Sequence, residues 1–367
     1  MTGLLRSMLA AAAVAVGFAV VQVSSAGAQS ANEKLYAELA KLPADQRAAK
    51  ILEGARKEGK VEVLSANFGV RWRPNDLQWE QRFPGIKFNK VGLASSAIAD
   101  RIIAEETAGK HLTDAGVLSS VDTVLLTERS LLASFPTPMT DRILPKYRGF
   151  LNQFPNNVWN PISMTTHGMA YNFKIMSEDQ APKGWFDLCK PQYKGQASYE
   201  VLEVRLLTAW YTMLGEDKAK ELIKCIGENS PILQQAHTGR FELMTAGDHP
   251  LSGDILLNHV YTQQHEQPAK NSTKPIFTAP VLADAFGVVI NKNAPDPYAA
   301  ALFADWELSD DTQGHFVKLY YDPLTGPSPY TPASAEVVLF GPIDQAIVTR
   351  LVAFWKENVS QKNARGR

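Results

Sequence analysis

The stretch Thr166-His-Gly-Met-Ala-Tyr-Asn-Phe-Lys-Ile-Met176 lies near the middle of the 367-residue chain and decides the predicted fold. Gly168–Ile175 has the composition of a strand, with Tyr171, Phe173 and Ile175 on one face. Proline and glycine follow it within ten residues and break the chain. The pattern predicts one long strand with a turn at its end.

A second stretch of the same kind is Ala285-Phe-Gly-Val-Val-Ile-Asn-Lys-Asn-Ala-Pro295. Each of the two stretches is an apolar strand followed by a polar turn that contains asparagine and lysine. Two such strands, far apart in sequence, predict that the chain crosses from one lobe to another and returns. Gly168 and Gly287 would then lie at or near the lobe boundaries and act as a hinge.

The rest of the chain predicts an α/β protein of two lobes. A chain of 367 residues fits two domains rather than one. From residue 61 to residue 118 the pattern reads β-α-β-α-β, which is typical of a parallel sheet with crossover helices. We predict a signal peptide at 1–28, a first lobe formed by 29–167 and 292–367, and a second lobe at 168–291 that includes the crossover strands.

The N-terminus has the three parts of a secretory signal. Arg6 supplies a positive charge, an apolar run covers Met8–Val21, and Ala26-Gly-Ala28 is a small-x-small cleavage site. Cleavage after Ala28 would leave Gln29 as the mature N-terminus and a periplasmic protein. The alternative, a membrane anchor, is disfavoured because the apolar run is short for a span.

Composition narrows the functional class. The chain is 45% hydrophobic and 20% charged with a net charge of −1, values typical of a soluble globular protein. Nucleic-acid binding is not expected, since it requires a basic face. Cys189 and Cys225 are the only cysteines. In an exported chain they could form a disulfide or remain two buried thiols, and a metal site from this pair alone is not expected.

Several motifs recur in an order that resembles a known family, the extracellular solute-binding proteins of ABC importers, in the branch that contains ferric-iron, thiamine, phosphonate and polyamine binders. The motifs that carry the resemblance lie at 58–63, 83–87, 102–109, 168–172, 181–187, 193–195 and 293–300. The resemblance implies the periplasmic-binding-protein fold (type II-like), with a small solute held in the cleft between the lobes. It also implies delivery to an ABC permease and its ATPase at the inner membrane. We expect a monomer without a cofactor.

The solute should lie beyond the carboxyl ends of the parallel strands, as in other open α/β sheets. In the first lobe this places serines at helix starts, where free N–H groups suit an anion. Arg71 could then be the counter-charge. The alternatives are helix capping by Ser95 and Ser96 and ordinary surface exposure of the nearby Arg73. The predicted ligand-binding residues of this lobe are Asn67, Arg71, Ser95, Ser96, Ser119 and Ser120.

The second lobe should present its own polar residues at the ends of predicted elements. Those predicted to bind ligand are Glu200, Arg205, His237, Asn258 and Tyr261, with Glu203 and His259 close by. The hypothesis that the solute is a small organic anion, a carboxylate or a phosphonate, comes from the first lobe, with Arg71 as the counter-charge and Ser95, Ser96 and Ser119 as donors.

Ferric iron is the alternative solute, because the resemblance includes iron binders. Those members carry two adjacent tyrosines where this chain reads Val260-Tyr261, and they often have a carboxylate where it reads Ser96-Ala97. Ferric iron is a hard cation that prefers anionic oxygen ligands, so both departures weaken the iron hypothesis. A secreted hydrolase is less favoured still, because the chain has no Gly-x-Ser-x-Gly, P-loop or His-Glu-x-x-His motif.

Overall fold

The computed structural model describes residues 29–67, 70–235 and 237–361, so the predicted leader lies outside the described residues. One mixed sheet of eleven strands runs through them, with helices packed against it. Within these ranges no helix has both the length and the apolar character that a membrane crossing requires. The α/β class predicted from the sequence is confirmed.

The N-terminal part of the sheet is parallel. Strands β1 (Lys60–Ser65), β2 (Lys87–Gly92) and β3 (Ala115–Ser119) lie in the order β2-β1-β3. Helices α3 (Arg73–Arg82) and α4 (Ser95–Thr107) make the crossovers between them. The predicted β-α-β-α-β unit is confirmed, with element ends displaced by a few residues, as expected where caps decide the boundary.

Two long antiparallel strands occupy the middle of the sheet. They are β4 (Asn160–Asn172) and β9 (Val281–Ile290), and every residue of β4 is buried. β3 pairs with β9, and β9 pairs with β4, so these strands join the parallel part to the remainder of the sheet. The predicted pair of crossing strands is therefore present in the fold.

The predicted bounds of the first crossing strand were wrong at both ends. β4 starts at Asn160, eight residues before the predicted start. The prediction missed the first half of the strand because it contains buried Asn, Ser, Thr and His side chains, whose polarity hides the strand pattern. It ends at Asn172, where the side chain accepts a hydrogen bond from Lys174 N and turns the chain. Phe173 and Ile175 are consequently exposed rather than part of the sheet.

Glycine at position 287 has a packing role. A Cβ atom there would collide with the indole of Trp159 and with the Asn160 carbonyl. The close approach of Trp159 therefore requires glycine at this position, whether or not the strand also bends there.

The C-terminal part of the sheet carries the second group of helices. Cys189 and Cys225 form a disulfide with 5.2 Å between their Cα atoms, which decides between the two alternatives left open by the sequence. The elements of this part are β5 (Ala197–Glu200), α6 (Val204–Leu214), α7 (Glu216–Glu228), β6 (Ile232–Gln234), α8 (His237–Ala246), β7 (Leu251–Leu256), α9 (Leu257–Glu266) and β8 (Thr273–Ile276).

The remaining elements complete the two ends of the chain. They are α1 (Ala31–Ala40), α2 (Ala44–Glu58), α5 (Ser120–Glu128), α10 (Pro297–Glu307), α11 (Asp310–Lys318), β10 (Asp322–Pro323), β11 (Val337–Leu339) and α12 (Gln345–Trp355). β11 pairs in parallel with β9, so the chain passes along the middle of the sheet a third time.

The apolar core of the described residues divides into a large cluster around β1–β3, a second one around α6 and α7, and a smaller third one around α8 and α9. α12 packs in the second cluster, with the Trp355 ring 6.3 Å from Trp210. The sequence assigned 292–367 as a whole to the first lobe, whereas the apolar face of α12 is buried against the second cluster. The lobe boundaries stay a prediction, and this packing favours moving the tail helix to the second lobe.

Candidate functional site

Serines at the carboxyl ends of β2 and β3 meet at one edge of the sheet. Ser119 N donates a hydrogen bond to Ser95 Oγ at 2.9 Å, and the two hydroxyl oxygens are 3.4 Å apart. Because parallel strands end at the same edge, the loop after β2 and the end of β3 are brought into contact. This bond fixes the start of α4 beside the start of α5.

The first turn of α4 is not capped by a side chain. Ala94 occupies the N-cap position with extended backbone angles, φ −61° and ψ 147°, and Ser95 and Ser96 are the first two helical residues. The alternative that these two serines cap the helix is therefore wrong, because the backbone becomes helical one residue too early for Ser95 to be the cap. The first N–H groups of a helix have no intrahelical acceptor, so this end remains able to bind an anion.

One charged side chain of α6 faces these serines. Arg205 lies in the first turn of α6 and is held side-on by Glu203, with Nε–Oε1 and Nη2–Oε2 distances of 3.2 and 3.3 Å. Burial opposes ionisation of Glu203, but the Arg205 guanidinium and the His237 hydrogen bond outweigh it and lower the Glu203 pKa. Arg205 is thus a fixed cation whose Nη1 group has no partner among the described residues.

A cavity of about 360 Å³ lies between the serines and Arg205, and we call it the serine–Arg205 cavity. Four residues predicted from the sequence line it, and five others join them. The lining residues are Ala66, Leu93, Ala94, Ser95, Ser96, Ser119, Asp122, Arg205 and Phe286. The cavity therefore combines hydroxyl groups, a helix start, one cation and one carboxylate with apolar walls.

Behind Arg205 three side chains form the best candidate for a metal-binding cluster. Ligand atoms of Glu200, Glu203 and His237 lie within 4.8 Å of one another, and His237 Nε2 is 3.0 and 2.9 Å from the two carboxylates. Arg240 Nη2 is 2.8 Å from His237 Nδ1. A guanidinium can only donate, so Nδ1 accepts and the ring proton lies on Nε2, directed at the carboxylates. The geometry favours a proton-bearing bridge over a metal ligand.

A network of buried charged side chains contacts this cluster through Arg240. Arg240 lies 3.5 Å from Asp254, and Asp254 lies 3.4 Å from His167 Nδ1. All three side chains are buried. Burial raises the pKa of Asp254, but His167 and Arg240 outweigh it and lower that pKa, while burial lowers the pKa of His167. We call His237, Arg240, Asp254 and His167, together with Glu203, the charged network.

Arg71 does not line the serine–Arg205 cavity. Its guanidinium donates to Glu266 Oε1 at 2.9 Å and lies 3.4 Å from Thr262 Oγ1, both on α9. It lines a separate cavity of about 650 Å³ with His259, whose pKa burial lowers to about 4. Sequence reasoning placed Arg71 with the serines because no helix was predicted at 257–266, the element that engages it.

Tyr261 is also outside the serine–Arg205 cavity. Its ring is buried and stacks on Tyr330 at 5.0 Å, and its hydroxyl donates to the Tyr330 carbonyl at 3.3 Å. Burial raises its pKa, which disfavours the phenolate form that a ferric ion needs. Tyr320 stacks on His265 at 5.4 Å in the same aromatic group.

Three further predicted residues do not line the cavity. Ser120 is buried and donates to Asp284 Oδ1 at 3.1 Å. Asn67 bonds to Ser65 through its backbone, and its side-chain nitrogen is buried without a partner in the described part of the chain. Asn258 lies in the first turn of α9, where its side-chain oxygen is likewise buried and unpartnered.

Sequence reasoning missed two lining residues that its own patterns could have indicated. Asp122 follows Ser119 by three residues, the spacing of an N-cap and a first-turn acid at the start of α5. Phe286 belongs to the second crossing strand, where it is the one residue that is not fully buried. The other walls, Ala66, Leu93 and Ala94, have no sequence signal because they line the cavity only through the path of the backbone.

These features define a class: a mixed α/β protein with a small polar cavity at the carboxyl ends of its strands. The sequence pattern of the family described as bacterial extracellular solute-binding protein matches residues 103–335. The chain belongs to this family. No curated protein sequence is significantly similar to it.

Solved structures of the periplasmic-binding-protein fold are similar over most of the chain. Iron-bound HitA from Pseudomonas aeruginosa is 14% identical with a TM-score of 0.65, covering 82% of this chain and 99% of its own. Ferric iron-binding protein A from Mannheimia haemolytica is 17% identical with a TM-score of 0.65, and the match covers 83% of this chain and 99% of that protein. An ABC transporter substrate-binding protein from Agrobacterium tumefaciens is 14% identical with a TM-score of 0.67, and the match covers 82% of this chain and 94% of that protein. At these identities the similarity concerns the fold.

Proposed function

We propose that this protein is exported to the periplasm, captures a small solute with an anionic group in the serine–Arg205 cavity, and delivers it to an ABC permease. Membership in the extracellular solute-binding family supports the first and last steps. We further propose that it acts by binding alone and catalyses no reaction, in keeping with the binding proteins that share its fold.

The observation that carries the anion proposal is the pairing of Arg205 with the uncapped start of α4 across one cavity. A helix start carries a partial positive charge, and a guanidinium offers donors in a planar fork. Glu203 accepts hydrogen bonds from Nε and Nη2 of Arg205, so Nη1 remains available to a solute. Ser96 Oγ has no hydrogen bond within the described residues, so it is also available to a solute.

Capture would use closure of the two lobes. The cavity takes lining from the first lobe, through Ser95 and Ser119, and from the second lobe, through Arg205. A relative movement of the lobes would therefore open or close it. The third passage of the chain along β9 would limit that movement to a small set of directions.

Ferric iron is the competing proposal, and the observation in its favour is that HitA and ferric iron-binding protein A share the fold. Against it, Tyr261 is buried in an aromatic stack, and α4 starts with serines instead of a carboxylate. An iron site built from Glu200, Glu203 and His237 would have to displace the His237 proton.

The test is calorimetric titration of the native solute, identified by mass spectrometry of ligand released from purified protein. Arg205→Gln should weaken binding by roughly 30-fold or more, since truncating one side of a buried charge contact costs about 2–5 kcal/mol. Arg73→Gln, a change at an exposed arginine outside the cavity, should bind like wild type. Equal affinity in wild type and Arg205→Gln would refute the proposal. Tight ferric binding with a tyrosinate absorption band lost in Tyr261→Phe would replace it.

A further inference from the structure

The serine–Arg205 cavity contains a carboxylate that an anion alone does not explain. Asp122 is the third residue of α5, and its Oδ2 accepts a hydrogen bond from Ser119 Oγ at 2.7 Å. Its Oδ1 has no partner within the described part of the chain, and no lysine or arginine there pairs with it. A half-exposed carboxylate without a cation therefore shares one small cavity with Arg205.

The charges around the cavity do not favour a purely anionic solute. The positive charge of Arg205 is already balanced by Glu203, which holds it bidentately. Asp122 then adds a negative charge, and the partial charge of the α4 start offsets only part of it. The buried Asp284 accepts a hydrogen bond from Ser120 and interacts electrostatically with both Arg205 and Asp122. Burial raises its pKa to about 6. A solute that brings one negative and one positive group would satisfy both sides.

We propose that the solute is amphoteric: its anionic group binds at Arg205, the serines and the start of α4, and its protonated amine binds at Asp122. This inference rests on the proposed function and adds the chemical class of the solute. Leu93, Ala66 and Phe286 form apolar walls, so a short aliphatic spacer between the two groups suits the cavity. Its volume of about 360 Å³ restricts the solute to a small molecule.

Asp122 also has a structural role that must be separated from binding. An acidic residue in the first turn stabilises a helix by interacting with its positive end, and Ser119 Oγ accepts a hydrogen bond from Asp122 N at 3.2 Å. Asparagine at this position keeps an acceptor for Ser119 but removes the charge. A purely structural role would change binding of all solutes alike, whereas a role in binding an amine would change only those that carry one.

The experiment compares matched pairs of probes by calorimetric titration: β-alanine with propionate, and δ-aminovalerate with valerate. Wild type should bind one or both amino acids at least tenfold more tightly than the partner without the amine. Asp122→Asn should abolish that difference, by weakening the amino acid while leaving the plain carboxylate equal or stronger. Asp311→Asn changes a first-turn acid on another serine-capped helix, α11, and should behave like wild type. Thermal unfolding confirms that each variant is folded.

The outcomes separate the inference from the proposed function. Equal binding of both members of each pair, still dependent on Arg205, would overturn the amphoteric solute and leave the anion proposal intact. Unchanged discrimination in Asp122→Asn would also overturn it. If no member of either pair binds, the amphoteric inference fails, and the anion proposal is decided separately by titration of the native solute. If binding is insensitive to Arg205→Gln, both proposals fail.

Discussion

The two sides of the serine–Arg205 cavity are built by different means. The first side uses small side chains and backbone: Ser95, Ser96 and the uncapped start of α4. The second side presents a single guanidinium, Arg205, supported by the charged network. The first side depends on the path of the backbone, and the second on the balance of buried charges. They should therefore respond differently to mutation and to pH.

The largest effect is expected where the charged network is deepest. Arg240→Ala would leave Asp254 buried without its cation and remove the donor to His237 Nδ1. Breaking a buried pair by removing one partner destabilises a protein by about 3–5 kcal/mol. Denaturant unfolding of Arg240→Ala and of wild type measures the difference. Arg73→Ala, at an exposed arginine, should stay within about 0.5 kcal/mol. Equal stability of Arg240→Ala and wild type would show that the network does not stabilise the fold.

A smaller change is expected for Glu203→Gln. Glutamine is close in shape but loses the charge that orients Arg205 and receives the His237 proton. The loss of a hydrogen bond to a charged group is worth about 1.5–3 kcal/mol, so unfolding should require less denaturant. Solute affinity should fall as well, because Arg205 is no longer held toward the cavity. An affinity equal to that of wild type would mean that Arg205 is positioned by other contacts.

The pH dependence of stability should distinguish the two sides. The pKa values of Glu203, Asp254 and His167 are all lowered in the folded protein. As pH falls, the unfolded chain takes up protons first, at histidine below about 6.5 and at the carboxyl groups below about 4.5. The unfolded state then binds more protons, so stability falls with pH by at most about 1.4 kcal/mol per pH unit for each proton.

The Glu203→Gln variant measures how much Glu203 contributes to this dependence of stability on pH. The variant should lose stability less steeply than wild type below about pH 4.5, the range in which the unfolded glutamate would be protonated. Ser96→Ala should retain the wild-type slope, since the serine side contains no titrating group at that position. Denaturant unfolding at a series of pH values provides both slopes. Parallel curves for wild type and Glu203→Gln would contradict the lowered Glu203 pKa.

The difference between the two sides also explains how much the sequence could predict. The serine side follows from rules of chain direction: strands, crossover helices and the polar residues that end them are visible in the pattern around Ser95 and Ser119. The choice between Arg71 and Arg205 is not visible, because both follow a strand. It depends on Glu266, which engages Arg71 from a helix with no strong sequence signal.

The first crossing strand, β4, shows the same limit on what the sequence can predict about the fold. Its second half is apolar and was predicted, whereas its first half carries polar side chains that find partners only in the folded protein. Asn160 Nδ2, for example, donates to the Phe135 carbonyl at 3.3 Å. Long-range partners of this kind cannot be inferred from local composition, and they determine both the strand start and the charged network.

The smallest expected effects come from the two serines at the start of α4, and they test the backbone side directly. Ser95 Oγ accepts from Ser119 N, so Ser95→Ala removes a hydrogen bond and should reduce stability by about 1 kcal/mol. Ser96 Oγ has no partner in the described residues, so Ser96→Ala should leave stability unchanged. Solute affinity should nevertheless fall several-fold in Ser96→Ala, because its hydroxyl is free to bind the anionic group. A variant with unchanged affinity would show that the α4 backbone, without the hydroxyl, accounts for binding on this side.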